Sequence, residues 1–176
     1  MATEARIAVF GVGNVLMGDD ALGPTAIAHL VAGYEFPAGV HVEDLGTPGN
    51  DLHPQLAGRD HIILVDVVKA DGTPGEVREY RREAILAHAP GLRTGSHDPG
   101  LKEALFALEF AGEEPELLLV GVVPGEIGHA KGLTSAVRVA LPAVEAAVLA
   151  ELERLGVPAT PRAAPAAPEL WWEHDG

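Results

Sequence analysis

Ile7 to Phe10 is a short apolar run closed by Gly11, too short for a helix and suited to a buried strand. After a glycine-bounded loop to Gly23, Pro24 stands at a first helical position. Ala26, Ile27, Leu30 and Val31 then recur at helical spacing until Gly33. Strand, glycine loop and helix together open a βαβ unit. Val40 to Leu45 alternates apolar and polar residues, which predicts a strand near a sheet edge, and Gly46-Thr-Pro-Gly49 forces a turn. A short helix is expected over Asp51 to Leu56. The most apolar run of the chain, His61 to Val68, is broken only by Asp66 and reads as the central strand.

Turn chemistry over Asp71 to Gly75 precedes a short polar strand, Glu76 to Tyr80, whose direction the pattern does not give. Leu101, Leu105 and Leu108 share a helical face, Leu117 to Val123 forms a second buried strand, and Ser135 to Leu155 is a long closing helix with Pro142 inside it. This order of βα units, with one irregular excursion between residues 69 and 82, predicts a three-layer α/β/α sandwich. A single domain is expected over residues 1–156. Residues 157–176, rich in proline and alanine and without apolar periodicity, are expected to form a mobile tail, with Trp171 and Trp172 either docked or exposed at its end.

Composition sharpens this picture. Only 5% of the 176 residues are aromatic, so the core is built from Ala, Val, Leu and Ile, which suits helices on a mostly parallel sheet. A formal charge of −14 without a Lys/Arg cluster argues against nucleic acid as a partner. With no cysteine there is no disulfide framework, no thiolate nucleophile and no thiolate zinc site, so any metal must be held by oxygen and imidazole. No apolar stretch approaches the ~20 residues of a membrane span, and Met1 to Arg6 lacks the pattern of a signal peptide. The expected compartment is the cytoplasm, with no membrane partner.

Gly11-Val-Gly-Asn-Val-Leu16 begins like a dinucleotide fingerprint, but Leu16 replaces its third glycine. Asp19 and Asp20 would also put two negative charges where a phosphate should sit. The acidic pair has two readings. One aspartate could cap the following helix, or the pair could mark a cation site at the C-terminal edge of the first strand. Asp66, at the end of a buried strand, costs several kcal/mol unless it is paired, hydrogen-bonded or metal-bound. His97 lies in the turn-rich loop Thr94-Gly-Ser-His-Asp-Pro-Gly100, a segment type that commonly carries sites. Asp20, Asp66 and His97 thus supply oxygen and nitrogen donors suited to a divalent transition metal, with positions left open for water or substrate. They are 46 and then 31 residues apart, so they lie on separate elements. Neither a nucleophile elbow nor a His-Glu-x-x-His helix is present.

The motifs Gly11-Val-Gly-Asn-Val-Leu-Met-Gly-Asp-Asp20-Ala-Leu-Gly23, Gly46-Thr-Pro-Gly49, Val65-Asp66, Ser96-His97-Asp-Pro-Gly-Leu101 and Ile127-Gly-His-Ala-Lys-Gly-Leu133 resemble those of the hydrogenase maturation endopeptidases. The resemblance spans residues 6–156. It implies a hydrolase-like fold with a five-stranded, mostly parallel but mixed sheet holding one antiparallel strand. It also implies a metal-dependent endopeptidase that removes the C-terminal extension of the [NiFe] hydrogenase large-subunit precursor, its partner. Asp20, Asp66 and His97 would bind nickel carried by that substrate, and other divalent transition metals could substitute. Such proteins often carry Glu at position 20, where this chain has the shorter Asp. Two alternatives are a non-hydrolytic nickel-binding or chaperone module and a hydrolase of the same fold with another peptide substrate.

Overall fold

The computed structural model describes residues 6–88 and 100–174. In chain order the elements are β1 (Ile7–Gly11), α1 (Leu22–Gly33), β2 (Tyr34–Glu35), β3 (Val40–Asp44), α2 (Leu52–Leu56), β4 (His61–Val67), β5 (Val77–Arg81), α3 (Arg82–His88), α4 (Leu101–Phe110), β6 (Glu116–Val122), α5 (Ser135–Arg154) and β7 (Thr160–Pro161). The main sheet has the order β3-β1-β4-β6-β5. Its first four strands run parallel, and β5 runs antiparallel to β6. The apolar run from His61 is therefore the middle strand, the alternating Val40 segment is an edge, and the excursion after residue 69 supplies the antiparallel strand at the other edge.

Strand alternation divides the core. Ile63, Val65 and Val67 of β4 face Leu22, Ile27 and Leu30 of α1 and Val137, Val144 and Val148 of α5. Ile62, Leu64 and the following Val68 face Leu52 and Leu56 of α2, Ile85 of α3, and Leu101, Leu105 and Leu108 of α4. These two apolar faces on one buried sheet make the three-layer α/β/α sandwich. Helix α1 begins at Leu22, two residues before the start expected at Pro24. The proline is accommodated as its third residue because amides of the first turn have no intrahelical acceptor to lose.

The segment from Val157 was expected to be a mobile tail for want of apolar periodicity. Over its described length it is laid back against the domain. β7 pairs antiparallel with β2, and the amides of Arg162 and Ala166 donate to the carbonyls of Gly33 and Ala32. Trp172 is buried and Trp171 is largely exposed. The pattern could not register this, because a backbone ladder and one docked indole need no periodic apolar face.

At the opposite edge, Glu151 of α5 is 6% exposed and accepts hydrogen bonds from both terminal nitrogens of Arg81 on β5, at 2.6 and 2.9 Å. Arg154 donates to the same carboxylate at 2.8 and 3.0 Å and also reaches Glu116 at the start of β6. Burial pushes the Glu151 carboxyl up, but the two guanidinium groups outweigh it and hold the pKa at about 2. A depressed pKa stabilises the fold above the unfolded value of 4.5, and that contribution is lost as pH falls from there toward 2. Glu151→Gln should cost about 1–3 kcal/mol at pH 7. In thermal melts across pH 7 to 2, the gap between variant and wild type should close in the acid range; a gap that stays constant would refute this role.

Candidate active site

The rim at the C-terminal ends of β1 and β4 is built by backbone contacts too close for side chains. A Cβ on Gly23 would lie 2.3 Å from the Val12 carbonyl oxygen and 2.7 Å from that of Val65, so the first turn of α1 can press onto the strand ends only with glycine there. Gly13, at φ 147°, would place a Cβ 1.8 Å from the Asp20 carbonyl oxygen. The glycines that resemble a nucleotide loop thus serve to draw the Asp19-Asp20 turn over the sheet. Beyond β1 the ladder continues, with the Val12 amide donating to the Val65 carbonyl and the Gly13 amide to the Gly46 carbonyl. The Gly46 turn therefore joins the same rim.

The two adjacent aspartates have separate work. Both lie in a 3-10 turn, Gly18–Ala21, and neither side chain caps α1. Asp19 is fully buried, and its carboxylate accepts hydrogen bonds from the amides of Gly125, Glu126 and Thr134 and from the Thr134 hydroxyl, all at 2.7–3.0 Å. These four donors satisfy it and pin the loop from Gly125 to Thr134 to the rim. Asp20 accepts the Asn14 amide at 2.8 Å, and burial pushes its carboxyl up against that bond.

Asp66 is 2% exposed on β4, and by strand alternation it shares the face of Ile62 and Leu64. Gly121 is its neighbour on β6. Its carboxylate accepts the Val67 amide at 2.8 Å. Burial first, and then the negative charge of Asp20, push the Asp66 carboxyl well above the ordinary carboxylate range. The two aspartates chosen from the sequence therefore share one electrostatic environment. His97 lies outside the described residues, so the third member of the proposed set is not located. In sequence it shortly precedes α4, whose Leu101 packs in the core on the Asp66 face.

A buried carboxylate whose proton affinity is raised by a half-buried neighbouring carboxylate is an arrangement suited to a cation or to proton exchange. Asp19 was the residue that sequence reasoning left unassigned. Its signal was the second motif, Ile127 to Leu133, which an acceptor on the first motif holds in place. Among the described residues, no helix is long and apolar enough to cross a membrane.

Substitution should separate the two roles. Asp19→Ala strips four donors of their buried acceptor and should lower stability by roughly 3 kcal/mol. Asp66→Asn removes a charge that Asp20 opposes, so its melting temperature at pH 7 should equal or exceed that of the wild type. A fall of several degrees for Asp66→Asn would instead make that carboxylate part of the fold's support.

Comparison with known proteins identifies the family. The family model for hydrogenase maturation proteases matches residues 24–151. The hydrogenase 2 maturation protease of Escherichia coli K12 is 41% identical over 165 residues, covering 90% of this chain and 98% of the relative. The hydrogenase expression/formation protein HupM of Azotobacter chroococcum is 35% identical, covering 91% of this chain and 78% of that protein. The solved structure of the E. coli hydrogenase maturating endopeptidase HybD superposes with a TM-score of 0.80 at 38% identity, over 89% of this chain and 98% of that one.

Proposed function

The chain belongs to the hydrogenase maturation protease family, and we propose that its peptidase activity removes the C-terminal extension of a [NiFe] hydrogenase large-subunit precursor in the cytoplasm after nickel has been inserted. The observation that carries this reading is the Asp20–Asp66 pair. Its second carboxylate is buried, receives one amide among the described residues and is opposed by the charge of the first. A divalent cation supplies the positive charge that this pair lacks. In the proposed complex that cation is the substrate's own nickel, held by Asp20, Asp66 and His97.

His97 stands four positions before Leu101 in the chain, which limits its backbone to about 14 Å from the start of the helix packed on the Asp66 face. Nickel supplies a Lewis acid beside the scissile carbonyl. The protein's part is to orient the peptide. The three ligands fix the metal, and the metal fixes the bond attached nearby, so attack becomes a positioned event. A carboxylate oxygen not committed to nickel accepts the proton of the attacking water and returns it to the leaving amine nitrogen as the C–N bond breaks. Activity is thus metal-dependent through the substrate.

Purified protein should convert a nickel-loaded precursor to the shorter chain, read as a mass loss equal to the extension, and leave nickel-free precursor intact. Equal processing of both would refute metal gating, and an unshortened precursor would favour a binding module. Asp20→Ala, Asp66→Ala and His97→Ala should each reduce cleavage at least 10–100-fold, roughly the loss caused even by residues one step removed from a metal. Each should also weaken nickel binding in titration calorimetry. Unchanged affinity in the Asp66 and His97 variants would remove them from the site.

A further inference from the structure

A groove of about 640 Å³ runs between α1 and the returning C-terminal segment. Ile27 and Val31 line it on the helix side, Trp171 on the other, and Asp44 and Glu169 add carboxylates. Val31 is 44% and Trp171 63% exposed, so two large apolar surfaces confront each other across open space. Pro24 also lines the groove, one turn of helix from Asp20, so the groove opens at the rim that carries the carboxylates. The family match ends at residue 151, and the wall formed by residues 162–172 lies beyond it.

The groove's electrostatics select its occupant. Its one basic lining residue, Arg162, is already engaged, donating to the Val31 carbonyl at 3.0 Å and facing the Glu35 carboxylate at 3.4 Å. Asp44 and Glu169 remain as the acidic groups of a chain that carries a net charge of −14. A site of this size takes two or three side chains, with apolar walls for affinity and charge for orientation. We propose that the groove docks an extended segment of the protein substrate in which apolar side chains are flanked by lysine or arginine. This rests on the reading of the chain as a peptidase acting on a folded precursor. Contacts made here, away from the scissile bond, hold the precursor while the rim engages its reacting end.

Both tryptophans of the chain lie in this wall, so fluorescence excited selectively at tryptophan reports the groove. The probes are the tryptophan-free peptides acetyl-Lys-Leu-Leu-Lys-amide and acetyl-Glu-Leu-Leu-Glu-amide. The basic peptide should give a saturable blue shift that weakens roughly tenfold between low and high salt, and the acidic one should give none. Val31→Arg, which puts bulk and positive charge into the groove, should abolish the shift. With nickel-loaded precursor it should raise KM roughly fivefold or more at unchanged kcat. If Val31→Arg does not fold, Glu169→Lys on the exposed segment should weaken the basic peptide in the same direction. Equal response to both peptides, no response to either, or an unchanged KM overturns the proposal. A wild-type protein that never cuts the precursor sinks the peptidase reading instead, and the peptide titration, which needs no cleavage, still decides the groove.

Discussion

Asp66 sits at the end of the middle strand of the sheet, out of water and opposed by the charge of Asp20. A buried carboxylate with one amide donor and a like-charged neighbour is unfavourable by several kcal/mol relative to an apolar residue of similar size. The fold must therefore be stable for other reasons. Two apolar layers meet on β4, and the Glu151 cluster ties α5 to the antiparallel edge. Stability resides in the layers and the far edge, which leaves the rim free to hold an arrangement that does not stabilise itself.

The rim is assembled by approach distances rather than by side-chain packing. Gly13 and Gly23 allow backbone to lie on backbone, which brings the Asp19-Asp20 turn above β4. Asp19 then fixes the loop from Gly125 to Thr134 through four donors. One member of an adjacent acidic pair is consumed by structure, so its neighbour can stay underpaired and available. Two aspartates are needed because a single carboxylate with its oxygens saturated by amides has little left to offer a cation.

Much of this was legible in the sequence because it follows from burial. The run from His61 to Val68 could only be a central strand, and an aspartate inside it could only be costly. The direction of β5 was not legible, since a short polar strand pairs equally well either way and the choice is made by its partner β6. The capping reading of Asp19 and Asp20 failed for a geometric reason. A 3-10 turn intervenes, so the pair precedes α1 without standing at its cap. The returning segment after Val157 was hidden because its contacts are a short ladder to β2 and hydrogen bonds to the end of α1. Asp20 and Asp66 were found by residue type and placement together, whereas His97 was named by its loop and by resemblance, and it lies outside the described residues.

An acidic rim of this kind has a consequence for timing in the proposed reaction. With Asp20 and Asp66 opposing one another, the site favours whatever brings positive charge to it. A precursor without its metal offers the rim only a peptide, whose carbonyl dipole cannot offset two carboxylates. A precursor carrying nickel offers a compact double charge at the place where charge is missing. In that proposal the difference in affinity between the two precursors comes from the electrostatics of the two carboxylates, without a conformational sensor. Discrimination by charge also explains why the protein would hold these carboxylates against their mutual repulsion. A permanently bound counter-ion would relieve the repulsion and, with it, remove the basis for telling the two precursors apart.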